Sequence, residues 1–221
     1  MRKTLIAALT LTLALAAAPT LRLGAQITHN AQGATDATAT ALLAKAAEKL
    51  KNVAFHVTMT ALDRQKKPLS TQQAEVSYRN GKYRMVTADQ EIVCNGTDVW
   101  HINKTAREVT VTPMPPDDDM NLLNPSAMMA NYSKNFRAKY IRTDDDGTAI
   151  VDLQPRSARS YHKIRLYLNE KDGLLRRMEV QKYDSGREIY DITGFKRSSV
   201  AAGTFTYDAS QHPDVELIDM R

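Results

Sequence analysis

Short segments in which apolar and polar residues alternate follow one another from Val53 almost to the end of the chain. In the first segment, every second residue is apolar: Val53, Phe55, Val57 and Met59. Because successive side chains of a strand point to opposite faces, this period of two predicts strands with one buried face. Tight turns at Asn80-Gly81 and Asn95-Gly96 join neighbouring segments, which predicts antiparallel pairing. We therefore expect a mainly β (α+β) fold built on a wide antiparallel sheet.

Two segments with helical character are available to cover this sheet. Residues 38–51 are rich in Ala and Leu, with apolar residues at helical spacing: Leu42, Leu43, Ala46, Ala47 and Leu50. Asn124-Pro125 suits the start of a second, short helix, because asparagine caps free N–H groups and proline fits the first helical position. Two alternatives remain open: the helices close the core, or they form a lid over an incomplete barrel that holds an apolar guest.

The first residues have the composition of a cleavable secretion signal. Arg2 and Lys3 precede an apolar stretch over residues 5–18, and Leu23-Gly24-Ala25 offers small residues for cleavage. The apolar stretch is shorter than the roughly 20 residues that a membrane-spanning helix needs. We expect residues 1–25 to be a signal peptide, residues 26–37 a flexible polar segment, and residues 38–221 one domain located in the periplasm.

Charge and cysteine content narrow the class of protein. Removal of Arg2, Lys3 and Arg22 with the leader leaves 27 of the 30 basic residues against 25 acidic ones, a net charge of +2. Neither sign forms a dominant run, which indicates that nucleic acid is not a partner. Cys94 is the only cysteine, and a secreted chain without internal disulfides suits a bacterial envelope. Alternation places it beside Ile92, where we expect a buried small hydrophobe.

No pattern for catalysis or metal binding accompanies the strands. The histidines are scattered without metal-ligand spacing, and the acidic runs at residues 117–119 and 144–146 lack the alternate spacing of a calcium loop. There is no nucleophile elbow and no phosphate-binding loop. We therefore expect a binding protein that is not an enzyme, without catalytic residues, metal or cofactor, although a triad assembled from distant residues would leave no such pattern.

The alternation also predicts which side chains would contact an apolar guest. The candidates are aromatic, aliphatic and methionine residues assigned to the inner side: Phe55, Val57, Met59, Val76, Tyr78, Tyr83, Met85, Ile92, Trp100, Ile102, Met128, Met129, Tyr132, Ile164, Leu166 and Met178. Methionine is suited to this role because its unbranched, polarizable side chain adapts to guests of different shape. We expect Val57→Asp or Met128→Asp to abolish binding while the fold survives.

Four stretches carry a family resemblance: residues 81–84, 92–100, 124–126 and 205–221. They run in the same order as in the periplasmic outer-membrane lipoprotein carrier family, LolA, and cover nearly all of the mature chain. The chain resembles this family in the form found in Bacteroidetes-type bacteria. The resemblance implies an incomplete antiparallel β-barrel, or half-barrel, with a helical lid in a single domain, and it implies a monomer.

The resemblance also implies a function. The apolar cavity would accept the acyl chains of lipoproteins that an ABC-type complex releases from the inner membrane, and the carrier would deliver them to the outer membrane, where the acceptor is unknown. Proteobacterial members carry Lys-Arg-Pro where this chain has Arg79-Asn80-Gly81, and their arginine latches the lid. Because Asn80 occupies that place, the latch is unassigned here and Arg79 is a weak candidate.

Two other functions remain open at this point. Some envelope-stress regulators use a similar half-barrel to sense stray lipoproteins or porin peptides, usually together with a second domain. An envelope hydrolase with a dispersed active site is the third hypothesis, and turnover of acyl esters would reveal it.

Overall fold

Twelve strands form one sheet in the computed structural model, which describes residues 36–114, 125–197, 201–211 and 213–221. The predicted signal peptide, most of the predicted flexible segment and the predicted helix cap Asn124 lie outside these residues. The strands are β1 (Asn52–Leu62), β2 (Pro68–Arg79), β3 (Lys82–Val86), β4 (Gln90–Cys94), β5 (Asp98–Asn103), β6 (Glu108–Pro113), β7 (Phe136–Thr143), β8 (Thr148–Pro155), β9 (Tyr161–Asn169), β10 (Leu175–Lys182), β11 (Arg187–Arg197) and β12 (Glu216–Asp219).

The sheet is open at both ends. Its strand order is β12-β6-β5-β4-β3-β2-β1-β11-β10-β9-β8-β7, and every neighbouring pair is antiparallel except β12 and β6, which run parallel. Strands β12 and β7 stand at opposite ends, and within the described residues no pairing joins them. The mainly β fold with an unclosed antiparallel sheet, predicted from the alternation and the resemblance, is therefore confirmed.

Three helices accompany the sheet in the described part of the chain: α1 (Ala37–Lys49), α2 (Pro125–Ala130) and α3 (Tyr132–Asn135). Asp36 caps α1, because its side chain accepts hydrogen bonds from the N–H groups of Thr38 at 2.8 Å and Ala39 at 3.4 Å. The helix thus begins one residue before the predicted start. No helix within the described ranges is both long and apolar enough to span a bilayer.

Helix α1 is tied to its surroundings by a few polar contacts. The hydroxyl of Thr40 lies 2.9 Å from the phenolic oxygen of Tyr132, which links α1 to α3. The Lys45 ammonium donates to the backbone carbonyls of Glu170 at 2.6 Å and Lys171 at 3.1 Å, in the turn between β9 and β10. The buried side of α1, which includes Leu43, then packs into the main core.

We call the face of the sheet that packs against α1 the inner face. Its cross-strand rows are continuous over many strands: Met59, Tyr190, Met178, Leu166, Val151 and Tyr140 are successive partners from β1 to β7. Cys94 is fully buried in this core, as predicted. Large aliphatic and aromatic side chains fill the interior, so burial of this face drives the fold.

The opposite, outer face differs between the two halves of the sheet. On β8–β11 it is charged and internally paired. Arg165 donates to both carboxylate oxygens of Asp152, at 2.6 and 2.9 Å, and Arg177 donates to Asp191 at 2.6 Å. The Asp152 interaction raises the pKa of the Arg165 guanidinium, so this cation stays charged. Paired charges let this half face water.

On β4–β6 the outer face carries apolar side chains, beside an ion pair between Arg84 of β3 and Glu91 of β4. Val93, Trp100 and Val111 are cross-strand partners on this side, and Val93 and Val111 are buried. Residues that follow β11 in the chain cover part of this outer face. A 3₁₀ turn, Ala202–Phe205, packs near β3 with Phe205 buried, and β12 adds a parallel strand beside β6. Strands β4 and β5 therefore have apolar side chains on both faces.

Candidate functional site

Most of the predicted guest-contacting residues meet on the inner face. Those that are buried in one hydrophobic cluster are Phe55, Val57, Val76, Tyr78, Tyr83, Met85, Met128, Met129, Tyr132, Ile164, Leu166 and Met178. Met59 and Ile92 pack against the same cluster but are only partly buried. The parity assignment therefore locates the inner face correctly for these residues, and their burial makes most of them part of a packed core.

Trp100 and Ile102 are corrections, because the strand register places them on the outer face. Trp100 pairs with Val93 and Val111, and Ile102 pairs with Glu91 and Val109. On β5 the inner positions are Val99, paired with Cys94, and His101, paired with Ile92. The prediction was wrong because this strand has apolar residues on both faces, and its larger ones, Trp100 and Ile102, face outward. On the inner side Val99 is buried and His101 is exposed.

Burial on the inner face decreases steadily in one direction. Along β1, Val53, Phe55 and Val57 are buried, whereas Met59 and Ala61 are partly exposed. Along β11 the same change occurs between Ile192 and Tyr190. We call the uncovered end the mouth, and define it by the inner-face residues Met59, Ala61, Tyr161, Lys182, Glu188 and Tyr190. The mouth is where a ligand reaches the apolar inner face without first displacing a buried side chain.

The mouth carries a polar rim. The Lys182 ammonium forms an ion pair with Glu188 at 2.5 Å, and their side chains are 38% and 34% exposed. The Tyr190 hydroxyl donates to Glu188 at 3.1 Å. Since both charges are partly exposed, the pair contributes little stability, about 0–1 kcal/mol. Its position matters more, because it places polar groups directly at the edge of an apolar surface.

Two tyrosines at the mouth remain neutral well above ordinary pH. Burial, reinforced by the adjacent Glu188 carboxylate, raises the pKa of the Tyr190 phenol. Burial likewise raises the pKa of Tyr161, although nearby Arg159 opposes it. A neutral phenol presents an apolar ring together with a hydroxyl that donates a hydrogen bond. These side chains therefore place an apolar ring and a neutral hydroxyl together at the boundary between the inner face and water.

Met114, Tyr140, Tyr161 and Tyr190 are inner-face residues that the sequence analysis missed. Tyr190 lies in a segment that was predicted as a strand, where its alternation with Ile192 was the available signal. Met114 follows β6, and its sulfur lies 3.7 Å from the Cys94 thiol. Nothing in the sequence around Met114 indicates this contact, because it depends on pairing between β5 and β6.

Arg79, the candidate latch, lies on the outer face. It pairs with Asn52 and Lys82, and it borders a small depression together with Asn80, Lys82 and Phe205. The helices whose side chains enter the core lie on the inner side. The register therefore does not favour Arg79 as the residue that latches them.

Within the described ranges, no three His, Cys, Asp or Glu side chains come together in a way that would hold a metal ion. The acids at residues 144–146 lie in the turn between β7 and β8, where Asp146 accepts from the Thr148 N–H at 2.9 Å. That hydrogen bond lowers the pKa of Asp146, which is consistent with a solvated turn carboxylate.

Comparison with known proteins places the chain in a family. The family model for the outer membrane lipoprotein carrier protein LolA matches residues 78–208, which is more than half of the chain. The protein therefore belongs to the LolA family. No curated protein matches the chain.

One solved structure shares the fold at low sequence identity, and two others are similar to a lesser extent. A conserved, uncharacterized protein of Thermus thermophilus superposes with a TM-score of 0.56 at 11% identity, over 82% of this chain and 99% of that one. A LolA superfamily protein of Nitrosomonas europaea gives 0.45 at 14% identity, over 77% and 98% of the two chains. The Pseudomonas aeruginosa MucA/MucB complex gives 0.48 at 15% identity, over 78% and 62%. At these identities the likeness concerns the fold alone.

Proposed function

We propose that this protein is a periplasmic lipoprotein carrier. It binds the acyl chains of lipoproteins released from the inner membrane by an ABC-type complex, and transports them to an acceptor in the outer membrane. The observation that supports this proposal is the mouth, where the apolar inner face of an open sheet emerges from beneath the helices, bordered by Tyr190 and the Lys182–Glu188 pair. Membership of the LolA family supports it independently.

The energetics of acyl transfer require a large apolar surface. A sixteen-carbon chain buries about 15 methylenes at roughly 0.8 kcal/mol each, so that leaving a membrane costs about 12 kcal/mol. A carrier must replace much of this stabilisation and still release its cargo. The inner face supplies continuous apolar rows that lead inward from Met59 to Met178 and Leu166. Flexible methionine side chains accommodate chains of different shape.

Helix displacement would open the deeper part of this surface. Met128 and Met129 of α2 and Tyr132 of α3 occupy the core in the structure. The Thr40–Tyr132 hydrogen bond is a polar link between α1 and α3. Such a bond contributes only about 0.5–1.5 kcal/mol, so a ligand that buries several methylenes can displace it. The helical side chains and the acyl chain would then compete for the same surface, which allows release.

The rim would contact the polar end of the acyl group. A lipid ester or amide presents carbonyl oxygens next to its hydrocarbon chain, and Tyr161 and Tyr190 place neutral hydroxyls at that boundary. Tyr190 would exchange its hydrogen bond to Glu188 for one to a carbonyl oxygen. We attribute no chemical step to these residues. The proposal is for a binding protein without enzymatic activity.

A release assay tests the proposed function. Mature protein is added to energised inner-membrane vesicles or spheroplasts of its host, and the supernatant is examined for lipoproteins bound to it. The expected result is a soluble one-to-one complex. Binding of lipoprotein in solution without release from the membrane would favour a sensor of envelope stress, and absence of both would contradict a carrier.

Met59→Asp is the variant that addresses the mouth. The partly exposed position lets the carboxylate reach water, so we expect a folded protein whose recovery of lipoprotein in the supernatant falls at least about tenfold, the equivalent of 1.4 kcal/mol of binding. The matched control is Thr60→Asp, one residue further along β1 and on the outer face. Recovery should be unchanged in Thr60→Asp. Equal loss in both variants would contradict the assignment of the mouth.

A further inference from the structure

Strand β2 extends beyond its neighbour β3. It pairs with β1 along its length, but with β3 only between Glu75 and Arg79, because β3 ends at Val86. Among the described strands, none pairs with residues 68–74 of β2 on that side. The sheet therefore contains a step in its interior, where one long strand presents a free edge next to a shorter one.

The turn between β2 and β3 shows which backbone groups point to this edge. Asn80 and Gly81 have φ values of 48° and 84°, as expected for a two-residue type I′ turn, and Arg79 pairs with Lys82 across it. The flanking pair of such a hairpin exchanges both of its hydrogen bonds, and the direction then alternates along the strand. Residues 79, 77 and 75 thus bond to β3, and the N–H and C=O groups of Thr71 and Gln73 point to the free edge.

A groove of about 760 Å³ lies along this edge. Its lining includes outer-face side chains of β1 and β2, among them His56 and Gln73, and the turn at residues 87–90 that follows β3. Gly194 helps to shape it, because a Cβ there would lie 2.6 Å from Cδ2 of His56. The absence of that Cβ lets the His56 imidazole lie close to β11.

The central part of this edge, residues 70–74, lacks the features that usually protect a free strand. Proteins block such edges with lysine, proline or a bulge in the exposed strand. Here residues 70–74 are Ser-Thr-Gln-Gln-Ala. Pro68 and the register shift next to Leu69 lie at the start of β2, outside this stretch. Leu69 itself is 71% exposed. An unprotected edge with an exposed apolar residue at one end favours pairing with another strand.

The charge of the groove selects among peptides. Among the described residues that line it are the carboxylates of Glu75 and Asp89 and no lysine or arginine. The remaining ionisable group is His56, whose Nδ1 lies 3.9 Å from Glu75. We propose that the groove binds an extended, basic peptide segment of a partner protein, which adds to β2 as an antiparallel strand through the backbone groups of Thr71 and Gln73. This proposal does not depend on acyl binding.

A defined peptide tests the proposal on the mature protein. The probe is an acetylated, amidated octapeptide of alternating Thr and Lys, and its counterpart has Glu in place of Lys. We expect the basic peptide to shift the backbone amide resonances of residues 69–75, and to bind at least about tenfold more tightly than the acidic one at low salt. Equal binding of the two peptides, or shifts elsewhere only, would overturn the proposal.

The variant Gln73→Pro distinguishes backbone pairing at the free edge from electrostatic attraction of the peptide to the groove. Proline removes the N–H that points to the free edge and leaves the hydrogen bonds to β1 intact, as tolerated on an edge strand. We expect a roughly tenfold loss of affinity for the basic peptide, whereas Gln73→Val, which keeps the N–H, stays within about twofold. Circular dichroism and amide protection in β1 verify the fold of both variants. Wild-type affinity of Gln73→Pro for the basic peptide would contradict the proposal. So would concentration-dependent shifts of the same amides without peptide, because they would indicate that a second copy of the chain binds at this edge.

Discussion

Val57 and Met59 lie two residues apart on the same strand and the same face, yet their surroundings differ. Val57 is 6% exposed and belongs to the closed cluster beneath the helices, whereas Met59 packs against the same cluster from its open end. Both are apolar, and both follow the same alternation. What separates a core residue from a candidate ligand-binding residue here is the extent of helical cover. The same apolar row is a core where it is covered and a candidate binding surface where cover ends.

The difference between the covered end and the mouth also appears on neighbouring strands, where the type of inner-face residue changes. On β11, Ile192 is buried and Tyr190 is not, and on β10 buried Val180 is followed on the inner face by Lys182. Aliphatic side chains thus give way to amphipathic and charged ones where water reaches the sheet. Lysine and tyrosine are suited to this boundary because each has an apolar body and a polar end.

The largest expected effect is at the covered end. Val57→Asp places a carboxylate in a closed apolar cluster, and we expect it to lower the free energy of unfolding by about 3–5 kcal/mol or to prevent folding, because the charge has no buried partner. The expectation from sequence alone, that this variant folds and loses only binding, is thereby revised. Urea denaturation of Val57→Asp beside Met59→Asp measures the difference. Equal stability of the two would remove the distinction between core and mouth.

Two methionines of one row allow a finer comparison. Met178 is 2% exposed, and its cross-strand neighbour Tyr190 separates it from Met59. We expect Met178→Ala to cost about 3 kcal/mol, because it leaves a cavity, and Met59→Ala to cost about 1 kcal/mol, because solvent fills the space. The measurement is again the free energy of unfolding in urea. Similar losses at both positions would mean that the helices cover Met59 as well.

The smallest expected effect concerns the rim and appears at high pH. Because the pKa of Tyr190 is raised in the folded protein, the folded state keeps this proton while an unfolded tyrosine releases it near pH 10. The associated stability is present below pH 10 and is lost as pH rises above it. Tyr190→Phe should therefore reduce the fall in stability between about pH 9 and pH 10.5, with a change of at most about 1 kcal/mol at neutral pH. An unchanged alkaline profile in Tyr190→Phe would count against burial of this phenol.

Regular alternation made much of the inner face predictable. On β1 every second residue from Val53 to Met59 is apolar and the intervening residues are smaller or polar, so the burial pattern follows directly. Helix α1 was equally clear from Leu43, Ala46, Ala47 and Leu50. In each case only one side is apolar, so the buried side is unambiguous.

Where a strand has apolar residues on both faces, the same reasoning fails. Strand β5 has Val99 inside and Trp100 and Ile102 outside, and the outer residues are the larger ones. Their cover comes from the chain after β11, which is distant in sequence. Strand β12 was not predicted at all, because its residues are exposed and its pairing with β6 is parallel and long-range.

Strand β7 was missed for a local reason. Helix α3 ends at Asn135 and β7 begins at Phe136, with no glycine or proline between them to mark a boundary. Its inner residues Phe136, Ala138 and Tyr140 alternate with Arg137 and Lys139, a pattern that the preceding helix obscured. The first half of β2 was also missed, because a polar run such as residues 70–73 lacks the alternation that indicates a strand.

The sequence by itself determined the class of fold and most of the inner face, because strand alternation, turn residues and helical spacing are local properties that survive without knowledge of neighbours. Only the tertiary structure decided where the helices stop covering that face and which side of β5 faces inward. It also decided that β2 extends beyond β3 and leaves a free edge. These features depend on lengths and registers of segments far apart in the chain. Burial and exposed backbone edges are properties of pairs of elements, and no single segment encodes them.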